Sequence, residues 1–312
     1  MAIVEDLRRG GGCLRRRDLV HGPAAARELD RLLEAGAVHR VGRGVYALPG
    51  ADEDAVVARL AGGLLTCVSA AVHLGLPLLT RPTGAHVVVH SSCAAPQSRM
   101  LPASTTVHWD GRLDPACGLT PAPSRYRCEP AVVAPVALAL VNALGCIPFR
   151  DVVALWDAAL NRSIVERTEL ASLRPARRGR CTFDAALRAT DGRSQSLPET
   201  FLRLGLTGAG LTVEPQALLE GVGFVDFLVE RLLIVEVDGY AYHTDRRAFG
   251  EDRRRDREAL TAGVPTVRFT FGEAVFGTRT VVSQVAGTIG RLRAAGAVPV
   301  DPRMIASRAR RP

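Results

Sequence analysis

Lysine does not occur in this chain. All 40 basic residues among the 312 are arginine, set against 32 acidic ones, which leaves a formal charge of +8. Any role usually given to an ammonium must be met by guanidinium or left empty, whereas arginine's planar donor fork suits phosphate contacts. Aromatic residues are scarce at 5%, which argues against a row of base-stacking platforms and for recognition of a nucleic-acid backbone. Cysteine is sparse: Cys13, Cys67, Cys93, Cys117, Cys128, Cys146 and Cys181 are scattered, odd in number and never spaced C-x-x-C. That spacing predicts neither a zinc site nor a disulfide framework, and a reducing compartment is expected. The opening MAIVEDLRRGGG has no apolar signal core, so a cytoplasmic protein is expected. Long hydrophobic runs are missing too, except at residues 131–149, AVVAPVALALVNALGCIPF. Pro135, Asn142, Gly145 and Pro148 interrupt that run, so a buried helix over 136–144 followed by a turn is predicted, with no membrane partner.

What is present begins with a small basic module. Residues 3–9 read as a helix stopped by Gly10, Gly11 and Gly12, and 14–20 as a second short helix. Ala25, Leu29, Leu32 and Leu33 recur at helical spacing, Arg27 and Arg31 lie one turn apart on another face, and Gly36 closes this third helix. AVHRVGRGVYALPG then reads as two strands about Gly42 and Arg43, a basic wing. Three helices and a hairpin predict a winged helix-turn-helix, with Arg27, Arg31, Arg40 and Arg43 as phosphate contacts on double-stranded DNA. From the glycine-rich turn to RGVYALP, the segment resembles the amino-terminal winged-helix domain of type IV toxin-antitoxin antitoxins of the abortive-infection class.

Residues 51–193 predict a connecting α+β region. Helices are expected over 54–61, 65–74, 136–144 and 152–161, and strands at HVVVH (86–90) and TTVHW (105–109). His86, His90 and His108 invite a metal reading, but residues four apart on one strand do not chelate a single ion, so ordinary strand-edge roles are expected. LRPARRGR at 173–180, basic and turn-like, reads as a linker in preference to a solvated face or a phosphate contact.

The last third concentrates carboxylates where they are costly. FVDFLVERLLIVEVDG (224–239) reads as two strands joined by a tight turn at Glu230, Arg231 and Leu232. Alternation puts Ile234, Glu236 and Asp238 on one face and Leu233, Val235 and Val237 on the other. With the turn centred on Arg231, Asp226 faces Glu236. Like charges across a hairpin repel, and an apolar strand desolvates them, so a divalent cation is the natural compensation. Ser196 predicts a helix cap, with Pro198 and Glu199 in the first turn. Asp252 and Asp256, among arginines in EDRRRDREALTA, are expected to pair within their helix.

Residues 194–292 resemble the very-short-patch-repair-like endonucleases of the PD-(D/E)XK superfamily. The matching features are S-x-x-E at Ser196 and Glu199, Asp226, EVDG at 236–239, His243, Asp252 to Asp256, and VRF at 267–269. Together these readings predict an α/β protein overall: a winged helix at 1–50, the connecting region at 51–193, the restriction-endonuclease-like α/β core implied by the resemblance at 194–296 and a basic tail at 297–312. The resemblance also implies Mg²⁺ (or Mn²⁺) held by Asp226, Glu236 and the carbonyl of Val237, with Glu199 holding water or a second ion, and hydrolysis of phosphodiester bonds. Where the superfamily often has lysine, this chain has Asp238. Asp238, binding a second cation or accepting from water, with His243 as general acid or base is the replacement expected from the carboxylate excess; Arg253 or Arg255 as a phosphate clamp is the alternative. Cutting both strands with one site takes two copies or two visits, so a homodimer fits, as does a toxin or DNA-modifying partner. A regulator or antitoxin-like protein with an inactive or binding-only nuclease fold is the alternative reading.

Overall fold

The computed structural model of the chain describes residues 2–92, 101–113, 132–238 and 246–307, and covers the backbone alone at 246–252 and 306–307. It is a mixed α/β protein in two units, Met1–Ile147 with Thr168–Phe183 and Pro148–Arg167 with Asp184–Pro312.

In the first unit, Ala2–Arg9 (α1) buries Ile3 and Leu7, one turn apart. Gly11 and Gly12 follow with φ of 72° and 84°, a left-handed backbone glycine adopts without a Cβ clash. They turn the chain into strand Cys13–Arg15 (β1), a single helical turn Arg16–Leu19 (α2), and Pro23–Glu34 (α3), which proline opens. His39–Gly42 (β2) and Val45–Ala47 (β3) form the predicted hairpin, and β1 flanks β3 to give an antiparallel sheet of order β1-β3-β2. The segment predicted as a second helix over 14–20 is thus part strand. Cys13 and Leu14 are buried in the same clusters as Val45, Tyr46 and Ala47, and this packing overrides local helical preference.

Glu53–Ala61 (α4) is capped by Asp52, which accepts from the Ala55 N–H at 2.8 Å. Its buried Arg59 donates from Nε to the Cys13 carbonyl at 3.2 Å, tying α4 to β1. Leu64–Leu65 (β4), Cys67–His73 (α5), His86–Val89 (β5) and Thr106–Trp109 (β6) come next. β4 runs antiparallel to β5, and β5 parallel to β6. The helix predicted from 65 starts at Cys67 because Leu64 and Leu65 pair with Val88 and Val87. Val136–Asn142 (α6) leads into a 3-10 turn, Ala143–Gly145, and buries Leu138, Ala139, Leu140 and Val141. No described helix is long and apolar enough to cross a membrane.

Phe149–Asn161 (α7) belongs to the second unit, while Arg167–Ser172 (α8) and Arg180–Ala189 (α9) lie at the division. Residues 173–179 form no helix or strand. Then come Leu197–Gly208 (α10), Val213–Leu219 (β7), Gly223–Val229 (β8), Leu233–Asp238 (β9), Arg246–Thr261 (α11), Thr266–Thr270 (β10), Phe271–Phe276 (α12) and Thr278–Ala294 (α13). β7, β8 and β9 form an antiparallel meander, and α11 carries the chain across to β10, parallel to β9. Ile305–Ser307 (β11), expected as basic tail, instead pairs antiparallel with β7, so the sheet runs β10-β9-β8-β7-β11.

The strand alternation holds. Leu233 and Val235 pack with Phe227, Leu202 and Leu206 of α10 and Val281, Val285 and Ile289 of α13. Ile234 packs on the opposite side with Ala259 of α11 and Val264. Each fully buried aliphatic or aromatic side chain stabilises such a sandwich by about 1.5–3 kcal/mol before entropy is counted. The turn between β8 and β9 is tight: Leu232 N–H donates to the Val229 carbonyl at 2.9 Å, with Glu230 and Arg231 at φ of 51° and 57°. Phe227 pairs with Val235, and the same register continued by one residue sets Asp226 across from Glu236.

Candidate functional site

Glu199 stands in the first turn of α10. Ser196 Oγ accepts from the Glu199 N–H at 3.3 Å and donates to Oε1 at 2.7 Å, while the Gln195 N–H donates to Oε2 at 2.9 Å. The capping role is therefore real, and the same carboxylate also faces the sheet. Gln216 of β7 donates from Nε2 to Glu199 Oε2 at 3.3 Å and to Asp226 Oδ1 at 3.4 Å. Its own Oε1 accepts from Gln195 Nε2 at 2.8 Å. Gln216 has φ of 50°, in the ladder gap between the pairs Pro215 with Phe227 and Ala217 with Val225. That left-handed backbone sits opposite Asp226. Asp226 Oδ2 accepts from the backbone N–H of Val237 at 2.8 Å, so the Val237 peptide is tied directly to the carboxylate cluster.

Glu236 lies on the α11 face, as alternation requires. Arg255 Nη2 reaches its Oε1 at 3.2 Å and Arg268 Nε its Oε2 at 3.0 Å. Arg255 also donates to the carbonyls of Val222, at 3.0 Å, and Phe224. Arg268, on β10, donates to Asp256 at 3.0 and 2.5 Å. Asp256 thus pairs across to a strand and not within α11, because its face of the helix lies over the register position of Arg268. The sequence singled out VRF but did not give Arg268 a role. Arg253 is exposed. Asp238 ends β9, His243 lies outside the described residues, and the side chain of Asp252 is outside the description.

Burial and mutual repulsion dominate the electrostatics. Glu199 is 6% exposed; burial, then the charge of Asp226, push its carboxyl up to about 7 against the three donors that favour ionisation. Burial raises Asp226, with Asp238 adding to the rise and the Val237 N–H opposing it. Glu236 is raised by burial and by Asp226, although Arg255 and Arg268 pull the other way. Oxygen donors crowded into partly dry surroundings fit a hard divalent cation, which would relieve the repulsion. The expected ligands are Asp226, Glu236 and the Val237 carbonyl, with Glu199 on water or a second ion; among the described residues these carboxylates are not a group whose ligand atoms all lie within 4.8 Å of one another.

The helix bearing Glu199 is anchored from α7. Asp157, 1% exposed, accepts from Thr200 Oγ1 at 2.7 Å, Arg203 Nη2 at 2.6 Å and the Asp191 N–H at 2.7 Å. Such a pair is strongly destabilising to break from one side, so α7 acts as a fixed support for α10. In the first unit Arg27, Arg31, Arg40 and Arg43 are all exposed, the first two on α3 and the others on the hairpin. Arg31 Nε donates to the Arg27 carbonyl at 3.3 Å, along the helix.

A second cluster brings together cysteines and histidines for which the sequence predicted no shared site. Cys67 at the start of α5, His86 on β5, His108 on β6 and Cys146 after the 3-10 turn each present one ligand atom, all within 4.8 Å of one another. The sequence hides it, because the four lie 19, 22 and 38 positions apart and only the pairing of β5 with β6 brings the histidines together. His90 is not a member; its Nδ1 lies 2.6 Å from Ser92 Oγ.

Residues 1–49 match the family described as "Transcriptional regulator, AbiEi antitoxin". No curated protein matches the chain. Among solved structures, the RV2827C protein from Mycobacterium tuberculosis is 19% identical, over 60% of this chain and 75% of that one, with a TM-score of 0.35. A similarity of that degree transfers neither fold nor function.

Proposed function

We propose that this chain binds duplex DNA through its first fifty residues, used as a winged helix-turn-helix, and hydrolyses phosphodiester bonds at Glu199, Asp226 and Glu236. The observation that supports the hydrolytic half is that Glu199 and Asp226 share Gln216 as donor while the Val237 N–H holds Asp226, with Glu236 near enough for the charge of Asp226 to raise its carboxyl. A bound Mg²⁺ or Mn²⁺ supplies Lewis acidity toward a phosphoryl oxygen and an attacking water. Gln216 keeps Glu199 and Asp226 aimed at a common point, and the Val237 N–H fixes the Asp226 rotamer. Arg255 and Arg268, both on Glu236, bring the positive charge that a lysine at the position of Asp238 would otherwise provide. In this reading Arg255 is the phosphate clamp of the arginine replacement, joined by Arg268.

The DNA-binding half rests on the match of residues 1–49 to an antitoxin regulator family and on the exposed arginines of α3 and the hairpin. That match brings with it a second reading: a DNA-binding regulator, with a toxin as partner, whose second unit binds without cutting. The two guanidinium groups on Glu236 favour it specifically, because they already neutralise one of the three carboxylates.

One experiment separates the readings. Supercoiled plasmid and defined duplex are incubated with the full chain and Mg²⁺ or Mn²⁺, with and without chelator. Metal-dependent nicking that drops by about 100-fold or more in Asp226→Asn and Glu199→Gln supports hydrolysis. Intact plasmid under every condition, with salt-sensitive duplex binding retained, leaves the regulator reading alone.

A further inference from the structure

We propose that Cys67, His86, His108 and Cys146 form a structural Zn²⁺ site in the first unit, independent of the hydrolytic reading. Two thiols and two imidazoles are the donor set for which zinc is the usual ion, and hard cations such as Mg²⁺ are poor competitors there. Bond lengths of about 2.3 Å to sulfur and about 2.0–2.1 Å to nitrogen give a tetrahedron with edges of about 3.3–3.8 Å between donor atoms. His86 Nδ1 and His108 Nε2 are 3.4 Å apart, and His108 Nε2 and Cys146 Sγ 3.7 Å. The first is too long for a good hydrogen bond between imidazoles and falls within those edge lengths.

The ligands come from four separate pieces of the unit, and the fold delivers each. β5 and β6 are parallel with Val88 opposite His108 and His86 opposite Thr106, so the histidines lie two residues apart along neighbouring strands. They therefore share a face of the sheet. Cys67 sits at the junction of β4 and α5 in a left-handed backbone with φ of 53°, a conformation a cysteine adopts only when its surroundings hold it. Cys146 follows the turn that ends α6. Thr66, next to Cys67, accepts at Oγ1 from Nδ2 of Asn142, four residues before Cys146, at 3.1 Å, which pins the two cysteine-bearing segments together. Four protein ligands leave no open position, so the ion clamps β4, β5, β6 and the end of α6 and performs no chemistry. Binding also requires both thiols to be thiolates and both imidazoles neutral.

The full chain, purified without chelator and dialysed, should carry about one zinc per chain by elemental mass spectrometry. Exchange for Co²⁺ should produce the visible bands of tetrahedral cobalt and thiolate-to-metal charge transfer. The Cys67→Ser, Cys146→Ser double variant should hold at least about tenfold less zinc and give no charge-transfer band, while Asp226→Asn should behave like the native chain in both measurements. Zinc retained by the double variant, or a cobalt spectrum of the native chain without thiolate charge transfer, overturns the assignment. So does a Cys67–Cys146 disulfide, found by peptide mapping of the unreduced chain, with no zinc bound. If the double variant does not fold, the cobalt spectrum of the native chain decides the matter.

Discussion

Gln216 shows how one uncharged side chain can organise a charged site. It is 5% exposed and its amide touches both Glu199 and Asp226. Gln216→Ala leaves the buried Glu199 and the half-buried Asp226 without their shared donor, and a loss of about 1–3 kcal/mol in denaturant unfolding is expected. A loss of under about 0.3 kcal/mol would mean that solvent replaces the amide without cost. Asp191 offers a cleaner pH test, away from the carboxylate site. Burial works against its charge, but the Arg193 guanidinium at 2.7 and 3.0 Å, the Arg193 N–H and the nearby Arg203 outweigh that and hold the carboxyl below its usual value. With the folded value below the unfolded value of about 3.9, this group's stabilisation is present above about pH 4 and disappears as pH falls through the folded value. The stability gap between the native chain and Asp191→Asn should therefore narrow on acidification below about pH 4, and a gap independent of pH would refute the linkage.

At the scale of elements, α3 and the β2–β3 hairpin present arginines outward. If each of Arg27 and Arg31 meets a phosphate, Arg27→Ala with Arg31→Ala should reduce the slope of log affinity against log salt by about 2. Filter binding or anisotropy across a salt series measures it, and an unchanged slope removes α3 from the DNA-contacting surface. β11 makes a different prediction. It covers the edge of β7 with three paired residues, and an uncovered edge is a template for another chain. Deleting residues 301–312 should lower the melting temperature by about 2–4 °C for each 1 kcal/mol lost and raise light scattering on concentration. A truncated chain as stable and as monodisperse as the original would mean that β11 contributes nothing.

At the scale of the whole molecule, the α3 arginines and the Glu199–Asp226 pair belong to different units, so the proposal requires binding and hydrolysis to separate. Asp226→Asn should bind duplex within about twofold of the native chain, since one buried side chain changes while the α3 arginines stay. The Arg27, Arg31 double variant should still nick DNA at concentrations high enough to restore occupancy. Loss of both properties in either variant would point to a single shared surface.

Much of the second unit was readable in advance. The alternation of FVDFLVERLLIVEVDG set the faces of β8 and β9 and the tight turn at Glu230 and Arg231, because period and turn are local properties of a strand pair. The S-x-x-E cap and the buried helix after Pro135 were equally local, as were α3 and the hairpin from their glycine and leucine spacing. What only the tertiary structure decided are the contacts between residues far apart in the chain. Gln216 became the bridge because strand pairing set it opposite Asp226, and Arg268 took Asp256 because α11 lies across β10. Asp157 became a support once α7 packed on α10. The same reason hid the Cys–His cluster: a metal site assembled from four segments has no spacing signature, since its ligands are brought together by sheet register and helix ends, which single residues do not encode.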